Sequence, residues 1–304
     1  MSAPSVPMIR QTAGAGAARS AARRRRTGVG SERKPRWLTY LLLTVAILVS
    51  AYPLYFAVQL ASSTSAQIAQ DPIPALLPGG ELFGNLKRVL EADIDLWQAI
   101  LNSIIVSTAT AVSVVMFATL AGYSFAKLRF RGRRPLLVFV IATMAVPTQL
   151  GVVPLFIVMR ELDLVGTLWA VILPGMVTAF GVFWMTQYLE AALPYELIEA
   201  ARVDGASMIR TFWNVALPAA RPAAAMLGLF TFIASWTNFF WPSIVLGTKN
   251  PTLPVALQLL QAGFFKDIAL IMAGVVISVI PLIALFIVAG RQLVAGIMQG
   301  AVKG

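Results

Sequence analysis

Long uncharged apolar stretches dominate the chain and alternate with shorter polar segments that carry the charge. Six stretches are long enough for a helix rising about 1.5 Å per residue to cross a hydrocarbon core about 30 Å thick. They run from Trp37 to Leu60, Leu96 to Ala126, Pro135 to Met159, Thr167 to Leu189, Pro222 to Gly247 and Ile268 to Gly290. The pattern predicts an all-α integral membrane protein with six transmembrane helices.

Proline lies inside most of these stretches, although its ring removes a backbone donor and clashes with the carbonyl four residues earlier. The positions are Pro53, Pro147, Pro154, Pro174, Pro242 and Pro281. Carbonyls freed in a membrane need partners on neighbouring helices or in a water-filled cavity. We therefore expect a helix bundle around a pathway rather than isolated anchors.

Composition supports a membrane protein and excludes several kinds of chemistry. Of the 304 residues 58% are hydrophobic and 12% charged, whereas about a quarter of a soluble protein is charged. The chain has no His and no Cys, which excludes disulfides, thiolate chemistry, His-containing metal sites and nucleophiles activated by His. No catalytic residue and no metal ligand is predicted.

Basic residues are concentrated in alternate loops. The tail 1–36, the loop 126–134, the segment 190–221 and the tail 291–304 together carry 19 of the 24 Lys and Arg, and the other loops carry 5. Under the positive-inside rule this asymmetry predicts a multi-pass plasma-membrane protein with both termini in the cytoplasm. The basic excess thus indicates topology rather than nucleic-acid binding.

The predicted spans contain no charged residue, which bears on the energy source. Proton relays and many ion-coupled carriers place Asp, Glu, His or Lys within the membrane. A secondary carrier stays open as an alternative, because broken helices can hold sodium with carbonyls alone. A membrane enzyme acting on lipid would need acidic pairs such as Asp-x-x-Asp, or His, and neither is present.

The segment between the fourth and fifth stretches reads as helix, corner, helix. Pro194 suits a first helical position and Glu196 suits the positive N-terminal end of a helix. Gly205 can adopt the left-handed conformation that ends a helix sharply, and Ser207 can cap a second short helix. Pro218 is expected to break or bend the chain before the fifth span.

This segment resembles the permease subunits of binding-protein-dependent ABC importers, whose cytoplasmic signature is EAA, three residues, Gly, nine residues, Ile, any residue, Leu-Pro. The matching residues are Glu199-Ala200-Ala201, Gly205, Val215 and Leu217-Pro218, with Val in place of Ile. The resemblance extends from about Tyr40 to Gly304 and is closest to the carbohydrate-uptake branch. The stretch Trp236–Phe240 and the ending Gly-Ala-Val-Lys-Gly carry it further.

The resemblance implies a type I ABC importer transmembrane domain of the MetI-like kind. It assigns coupling to an ATPase to Glu199, Ala200, Ala201, Asp204 and Gly205. Expected partners are a second homologous permease, two copies of an ABC ATPase, an extracytoplasmic solute-binding protein and membrane lipid, with no nucleic acid. The chain lacks a GxxxxGK[ST] phosphate loop, so it needs no cofactor itself, and ATP and Mg belong to the partner ATPase.

Three domain segments follow: a disordered basic tail at 1–36, a six-helix permease domain at 37–290 with the coupling segment 190–221, and a cytoplasmic tail at 291–304. The resemblance implies import of a sugar or oligosaccharide, with a related solute such as glycerol phosphate as the alternative. It also implies that residues 248–267 form an outward loop that meets the binding protein, an ordinary connector being the alternative.

Aromatic and amide side chains are typical of sugar sites, and they crowd into the fifth predicted span. Helical spacing places Asn238 on one face with Trp241 and opposite Phe240, which is expected to pack. Asn238, Trp241 and Gln149 are candidate pathway residues. Packing within the bundle is the alternative for the aromatics, and for Gln149 and Asn102 the alternative is bonding to a neighbouring helix.

Overall fold

A computed structural model describes residues 37–71, 76–261 and 266–301, with the backbone alone for 289 and 291–301. The predicted N-terminal tail 1–36 and residues 302–304 lie outside the described residues. The chain divides into two compact units, Met1–Pro53 and Leu54–Gly304, and the boundary falls within the first helix.

Every regular element in the described ranges is helical. The α-helices are α1 (Trp37–Ala61), α2 (Ser65–Gln70), α3 (Leu82–Leu90), α4 (Leu96–Lys127), α5 (Arg133–Thr143), α6 (Val152–Glu161), α7 (Trp169–Gly175), α8 (Ala179–Ala192), α9 (Tyr195–Val203), α10 (Met208–Thr211), α11 (Leu217–Trp236), α12 (Phe240–Val245), α13 (Leu253–Leu259) and α14 (Ile268–Ala301). A 3₁₀ turn (Thr148–Gly151) precedes α6, and a π-helical turn (Phe212–Ala216) joins α10 to α11.

Four helical stretches in the described residues are long and apolar enough to cross a membrane. They are Trp37–Ala61, Leu96–Lys127, Met208–Trp236 and Ile268–Val288. Two bent pairs, α5 with α6 and α7 with α8, bring the number to six when each pair counts as one span. The prediction of an all-α membrane protein is confirmed, but two of its six spans are not straight.

The bends lie beside prolines. α5 and the stretch Thr148–Glu161 meet at 90°, and α5 ends at Thr143, four residues before Pro147. The proline ring would clash with the Thr143 carbonyl in a continuous helix, which explains the break. α7 and α8 meet at 40° after Pro174, and Thr178 restarts the helix by accepting a hydrogen bond from the N–H of Gly181.

The fifth span differs most from the prediction. It was expected over Pro222 to Gly247, whereas the structure has one helical stretch from Met208 to Trp236 followed by a break and the short α12. Pro242 explains the break, because its ring would clash with the carbonyl of Asn238, four residues earlier. The earlier start also places Arg210 and Arg221 within this helical stretch.

The main core of the larger unit lies where α4 packs against α8 and α11. Its fully buried side chains include Val114 and Ala118 of α4, Met185 and Leu189 of α8, and Leu227 of α11. Small residues allow the helices to approach closely, as is common in membrane proteins, which lack a strong hydrophobic force between helices. The cluster continues towards Leu193 and so supports the segment after α8.

A polar cluster fastens the start of α14 to α2 and α3. The Asp267 carboxylate accepts hydrogen bonds from Arg88 at 2.6 Å, the Ser65 hydroxyl at 2.7 Å and the Leu270 N–H at 3.0 Å. Partial burial acts to raise the pKa of Asp267, but these three hydrogen bonds and the Arg88 charge outweigh it and hold the pKa below its ordinary value. The carboxylate is therefore ionised and bonded at neutral pH.

Replacing Asp267 by Asn should destabilise the protein in a pH-dependent way. Because the folded pKa is depressed, this stabilisation is present above the unfolded pKa of about 3.9 and is lost as the pH falls through the folded pKa. We expect a deficit of about 1 kcal/mol at pH 7 that shrinks as the pH approaches 3. Thermal unfolding of the purified complex at several pH values measures it.

Glu91→Gln provides the matched control for the Asp267 variant. Glu91 pairs with Lys87 at 3.7 Å, but both side chains are more than three-fifths exposed, so this pair should contribute little. An Asp267→Asn deficit that stays constant from pH 7 to pH 3 would contradict the ionic explanation.

Candidate coupling segment and pathway

Residues 194–211 form the helix, corner and helix that the sequence predicts. α9 begins directly after Pro194 and carries Glu196 in its first turn. It ends at Val203, and Gly205 follows in the left-handed conformation with φ of 75°. The Ser207 Oγ caps α10 by accepting a hydrogen bond from the N–H of Arg210 at 3.3 Å. The predicted helix, corner and helix are thus confirmed, except that Pro194 is the N-cap of α9 rather than its first helical residue.

Two backbone hydrogen bonds close the end of α9. The N–H of Ala206 donates to the carbonyl of Ala201 at 2.9 Å, and the N–H of Gly205 donates to the carbonyl of Arg202 at 3.0 Å. This pair of bonds is the Schellman motif, which needs a left-handed residue at the Gly205 position. A Cβ built on Gly205 would meet no heavy atom within 4 Å. Backbone conformation, and not lack of space, therefore requires glycine.

α9 has an inner face that packs and an outer face that is free. Ile198 is 3% exposed and belongs to the main core together with Leu193 and Phe212. The five predicted coupling residues behave differently: Glu199, Ala200, Asp204 and Gly205 are exposed, and Ala201 is half-buried. The segment thus presents small and acidic residues outwards on a helix that the core holds from beneath.

Lys127 and Tyr195 join the coupling segment to the ends of two spans. Lys127 is 6% exposed, and its Nζ donates to the carbonyl of Glu190 at 3.1 Å and lies 4.6 Å from the Tyr195 ring centroid. The Tyr195 hydroxyl donates to the carbonyl of Ala126 at 3.3 Å. A cation suits the end of α8, where helix carbonyls lack intrahelical partners. This joint was missed by the sequence analysis.

The coupling segment continues into the fifth span without interruption. α10, the π-helical turn and α11 form one helical stretch of 29 residues, and the N–H of Leu217 donates to the carbonyl of Phe212 within the π turn. The sequence predicts a break or a bend at Pro218, and the break is wrong because the helical stretch continues through it. Pro218 lies at the start of α11, where the π turn has shifted the hydrogen bonds and the absent proline donor is tolerated. The stretch is about 40 Å long.

The helical stretch Met208–Trp236 ends at the break that contains Asn238. α11 ends at Trp236 and α12 begins at Phe240, so Asn238 is half-buried in non-helical backbone. The prediction that Asn238 shares a helical face with Trp241 is therefore wrong, because no continuous helix joins them. Broken helices are where transporters place solute contacts, since the unwound backbone needs polar partners.

Phe240 and Trp241, which follow the break, lie in the opposite environments from those predicted: Trp241 is buried and Phe240 is exposed. Trp241 is 9% exposed in an apolar cluster with Val171 and Val245, and its Nε1 donates to the carbonyl of Ala170 at 2.9 Å. Phe240, which was expected to pack, is 50% exposed. Trp241 thus serves as a packing anchor for α12 in this structure.

The other two polar candidates lie in different surroundings. Gln149 is exposed in the 3₁₀ turn at the 90° bend. Asn102 is 1% exposed; its Nδ2 donates to the carbonyl of Pro251 at 3.0 Å and its Oδ1 accepts from Gln98 at 2.9 Å. Asn102 therefore fastens the loop 248–261 to α4 by bonding to a loop carbonyl, and not to a neighbouring helix as the alternative had it.

The loop 248–261 is folded and packs against neighbouring helices. It contains α13, whose Leu253 and Leu257 are buried in an apolar cluster with Trp236, and the N–H of Leu253 donates to the Ser103 hydroxyl at 2.7 Å. Pro254 lies in the first turn of α13, where a missing donor costs little. Gly263 of the same loop lies outside the described residues.

A cavity of about 490 Å³ opens beside the break, between the end of α11, α13 and α14. Trp236, Phe239 and Leu257 supply part of its apolar wall, and Thr237, Gln258, Gln261 and Ser278 supply polar groups. The Trp236 Nε1 is already bonded to the carbonyl of Ser278 at 3.2 Å. Aromatic walls with a few amides and hydroxyls can bind uncharged polar solutes.

Comparisons with known proteins agree with this architecture. Residues 115–295 match the model of the family described as binding-protein-dependent transport system inner membrane component. The arabinooligosaccharides transport system permease protein AraQ of Halalkalibacterium halodurans is 30% identical over 270 residues, covering 88% of this chain and 96% of that protein. The lactose transport system permease protein LacG of Rhizobium radiobacter is 28% identical, covering 89% and 97%.

Two further relatives widen the range of solutes. The sn-glycerol-3-phosphate transport system permease protein UgpE of Yersinia pestis is 27% identical, covering 86% of this chain and 95% of that protein. A chain in the crystal structure of a bacterial ABC transporter involved in the import of the acidic polysaccharide alginate superposes with a TM-score of 0.70 at 26% identity, covering 84% and 94%. The chain therefore belongs to the family of inner membrane components of binding-protein-dependent ABC transport systems, as a permease subunit.

Proposed function

We propose that this chain is one of two permease subunits that enclose the pathway of an ATP-driven importer of sugars or oligosaccharides. Its partners are a second homologous permease, two copies of an ATPase that holds ATP and Mg, and an extracytoplasmic binding protein. The observation that carries the proposal is the exposed outer face of α9, held on the core by Ile198 and closed by Gly205. Such a face suits docking into a groove of the ATPase.

The proposed orientation places both termini and residues 190–221 in the cytoplasm of a cell bounded by its plasma membrane. The support is the division of Lys and Arg between alternate loops, 19 against 5. The break at Asn238 then lies across the membrane from α9, at the far end of the helical stretch Met208–Trp236.

Coupling follows from the contacts on both sides of α9. Closure of the ATPase dimer moves α9, and the joint between Lys127 and Tyr195 passes the displacement to α4 and α8. The continuous stretch that begins at Met208 carries it to the break at Asn238. One movement thereby changes the packing of spans and the pathway together, as alternating access requires.

Neutral sugar is favoured over a phosphate ester by the lining of the cavity. Its described lining residues include Gln258 and Gln261 but no Lys or Arg, whereas phosphate recognition relies on cations. Arabinooligosaccharides and lactose appear in the names of relatives with high coverage. Glycerol phosphate, named for another relative, is the second candidate.

Uptake by the complete complex tests the proposal. Vesicles containing both permeases and the ATPase, supplied with the binding protein and internal ATP, should accumulate a labelled sugar from a panel that includes arabinooligosaccharides and lactose. Accumulation of glycerol 3-phosphate alone would overturn the sugar assignment. Accumulation driven by a sodium or proton gradient without ATP would overturn the coupling mechanism.

Asn238 is proposed to contact the sugar, and Asn238→Leu should slow uptake. The substitution removes one hydrogen bond of about 1 kcal/mol without opening a large hole, so uptake at limiting sugar should fall about fivefold. Trp241→Phe is the control, because it removes the bond to Ala170 and should lower thermal stability while leaving uptake per complex unchanged. Equal uptake by Asn238→Leu and wild type would assign this residue to packing. Gln149 remains a candidate on the same proposal.

A further inference from the structure

A second cavity lies far from Asn238, beside the coupling segment. It is a groove of about 410 Å³ between the last turns of α4 and the start of the helical stretch at Met208. Met116, Leu120 and Tyr123 line one wall, and Ile209, Phe212 and Trp213 line the other. Apart from the hydroxyls of Tyr123 and Ser124 and the indole N–H of Trp213, its lining side chains are apolar. The Ser124 hydroxyl donates to the carbonyl of Leu120.

The walls of this groove are exposed in the isolated chain, as are other apolar faces of the spans. Leu120 and Trp213 are each 47% exposed and Ile209 is 72% exposed. Contiguous exposed side chains of this size mark a surface that another apolar group covers. From Met116 to Leu128 the groove follows α4 for about 18 Å, which suits an extended hydrocarbon chain lying along the helix.

Basic residues directly follow two of the lining residues in sequence. Leu128 and Ile209 line the groove, and an arginine, Arg129 or Arg210, directly follows each of them. Residues 126–134 contain five basic residues and no acid. In the part of the chain that the structure describes, the ion pairs join other residues, so Arg129 and Arg210 are exposed and unpaired.

We propose that this groove binds an anionic phospholipid, with an acyl chain along α4 and the phosphate between Arg129 and Arg210. The charge distribution favours this occupant, because an apolar trough that ends in unpaired cations matches a molecule with a hydrocarbon tail and an anionic head. The apolar span of α4 ends at Lys127 and the next helical stretch begins at Met208, so we place Arg129 and Arg210 at headgroup depth. Trp213 suits the same interface.

The lipid would act as a fixed part of the coupling machinery. Phe212 packs against Tyr123, with ring centroids 5.9 Å apart, and Phe212 belongs to the core beneath α9. An acyl chain in the groove therefore fills the space between α4 and the helix that carries the movement of α9. Transport should consequently depend on anionic lipid at a level that the bulk membrane charge does not explain.

Quenching of Trp213 fluorescence by brominated lipids tests the site in the complete complex. The complex is placed in phosphatidylcholine nanodiscs with a small, equal fraction of brominated phosphatidylglycerol or brominated phosphatidylcholine. The Trp213 contribution is the difference between wild type and Trp213→Phe, which keeps an apolar ring. We expect this contribution to be quenched several-fold more by the anionic lipid.

The charge dependence is tested by the double variant Arg129→Gln/Arg210→Gln, which should reduce the anionic preference about tenfold. The matched control is Arg160→Gln/Lys249→Gln, which removes two exposed cations from the opposite loops and should leave the preference unchanged. Equal quenching by both lipids would mean bulk lipid in the groove and overturn the proposal. Absence of quenching by either lipid would mean that protein covers the groove, and would overturn it as well.

Discussion

Gly205→Val should abolish sugar uptake while the complex still assembles. The residue adopts φ of 75° in the bend that ends α9, a conformation that costs an ordinary L-residue about 1 to 2 kcal/mol and a β-branched residue more. To escape the strain, the bend must open and the exposed coupling residues must move. We expect uptake to fall at least tenfold, with ATP hydrolysis no longer linked to transport.

Two comparisons isolate the backbone effect at Gly205. Asn tolerates the left-handed conformation better than other residues, and the position has open space, so Gly205→Asn should keep most of the uptake. Gly132 has the same backbone class, with φ of 82° and no heavy atom near its Cβ position, and lies outside α9. Gly132→Val should therefore impose similar strain yet spare coupling.

Uptake, ATP hydrolysis and the amount of complex in the membrane should be measured together for these variants. Normal uptake by Gly205→Val at a normal complex level would remove the α9 bend from the mechanism. Equal losses in Gly205→Val and Gly132→Val would attribute the effect to general destabilisation of the chain.

The geometry of the coupling segment was predictable because its determinants are local. Pro194, Glu196, Gly205 and Ser207 lie within fourteen positions, and each acts on backbone groups within a few residues of itself. The contact between Lys127 and Tyr195 was not predictable in this way. These residues are far apart in sequence, and their meeting depends on how α4 and α8 pack.

The spans were predictable in number but not in shape. No charged residue lies near Pro147 or Pro242, so a search for long uncharged stretches passes through both breaks without a signal. Both breaks follow from the clash of a proline ring with the carbonyl four residues earlier. Pro147 lies four residues after Thr143, where α5 ends, and Pro242 lies four residues after Asn238, in the later break. Pro281 lies inside α14 without ending it, so tertiary packing decides whether a proline ends a helix.

The second large effect is expected at a close approach of two spans, where α4 meets α8 at Gly122. A Cβ on Gly122 would lie 2.7 Å from the Cβ of Met185, 2.8 Å from the Met185 carbonyl carbon and 2.9 Å from the Thr186 nitrogen. Met185 and Thr186 are fully buried. Two of these three atoms belong to the backbone and the third is a Cβ, so no rotamer change can relieve the overlap, and the helices must separate.

Gly122→Ala should therefore destabilise the bundle by about 2 kcal/mol or more and reduce the amount of folded complex several-fold, whatever sugar is present.

Two other glycines provide controls with progressively more space around the added Cβ. A Cβ on Gly228 would lie 3.3 Å from one methyl carbon of Val115, and a Cβ on Gly151 would meet nothing within 4 Å. Thermal stability should consequently fall in the order Gly151→Ala, Gly228→Ala, Gly122→Ala. Met185→Ala should not rescue Gly122→Ala, because alanine retains the Cβ and the backbone atoms that clash. Wild-type stability of Gly122→Ala would show that α4 and α8 do not meet at this distance in the membrane, and would remove the packing on which the support of α9 depends.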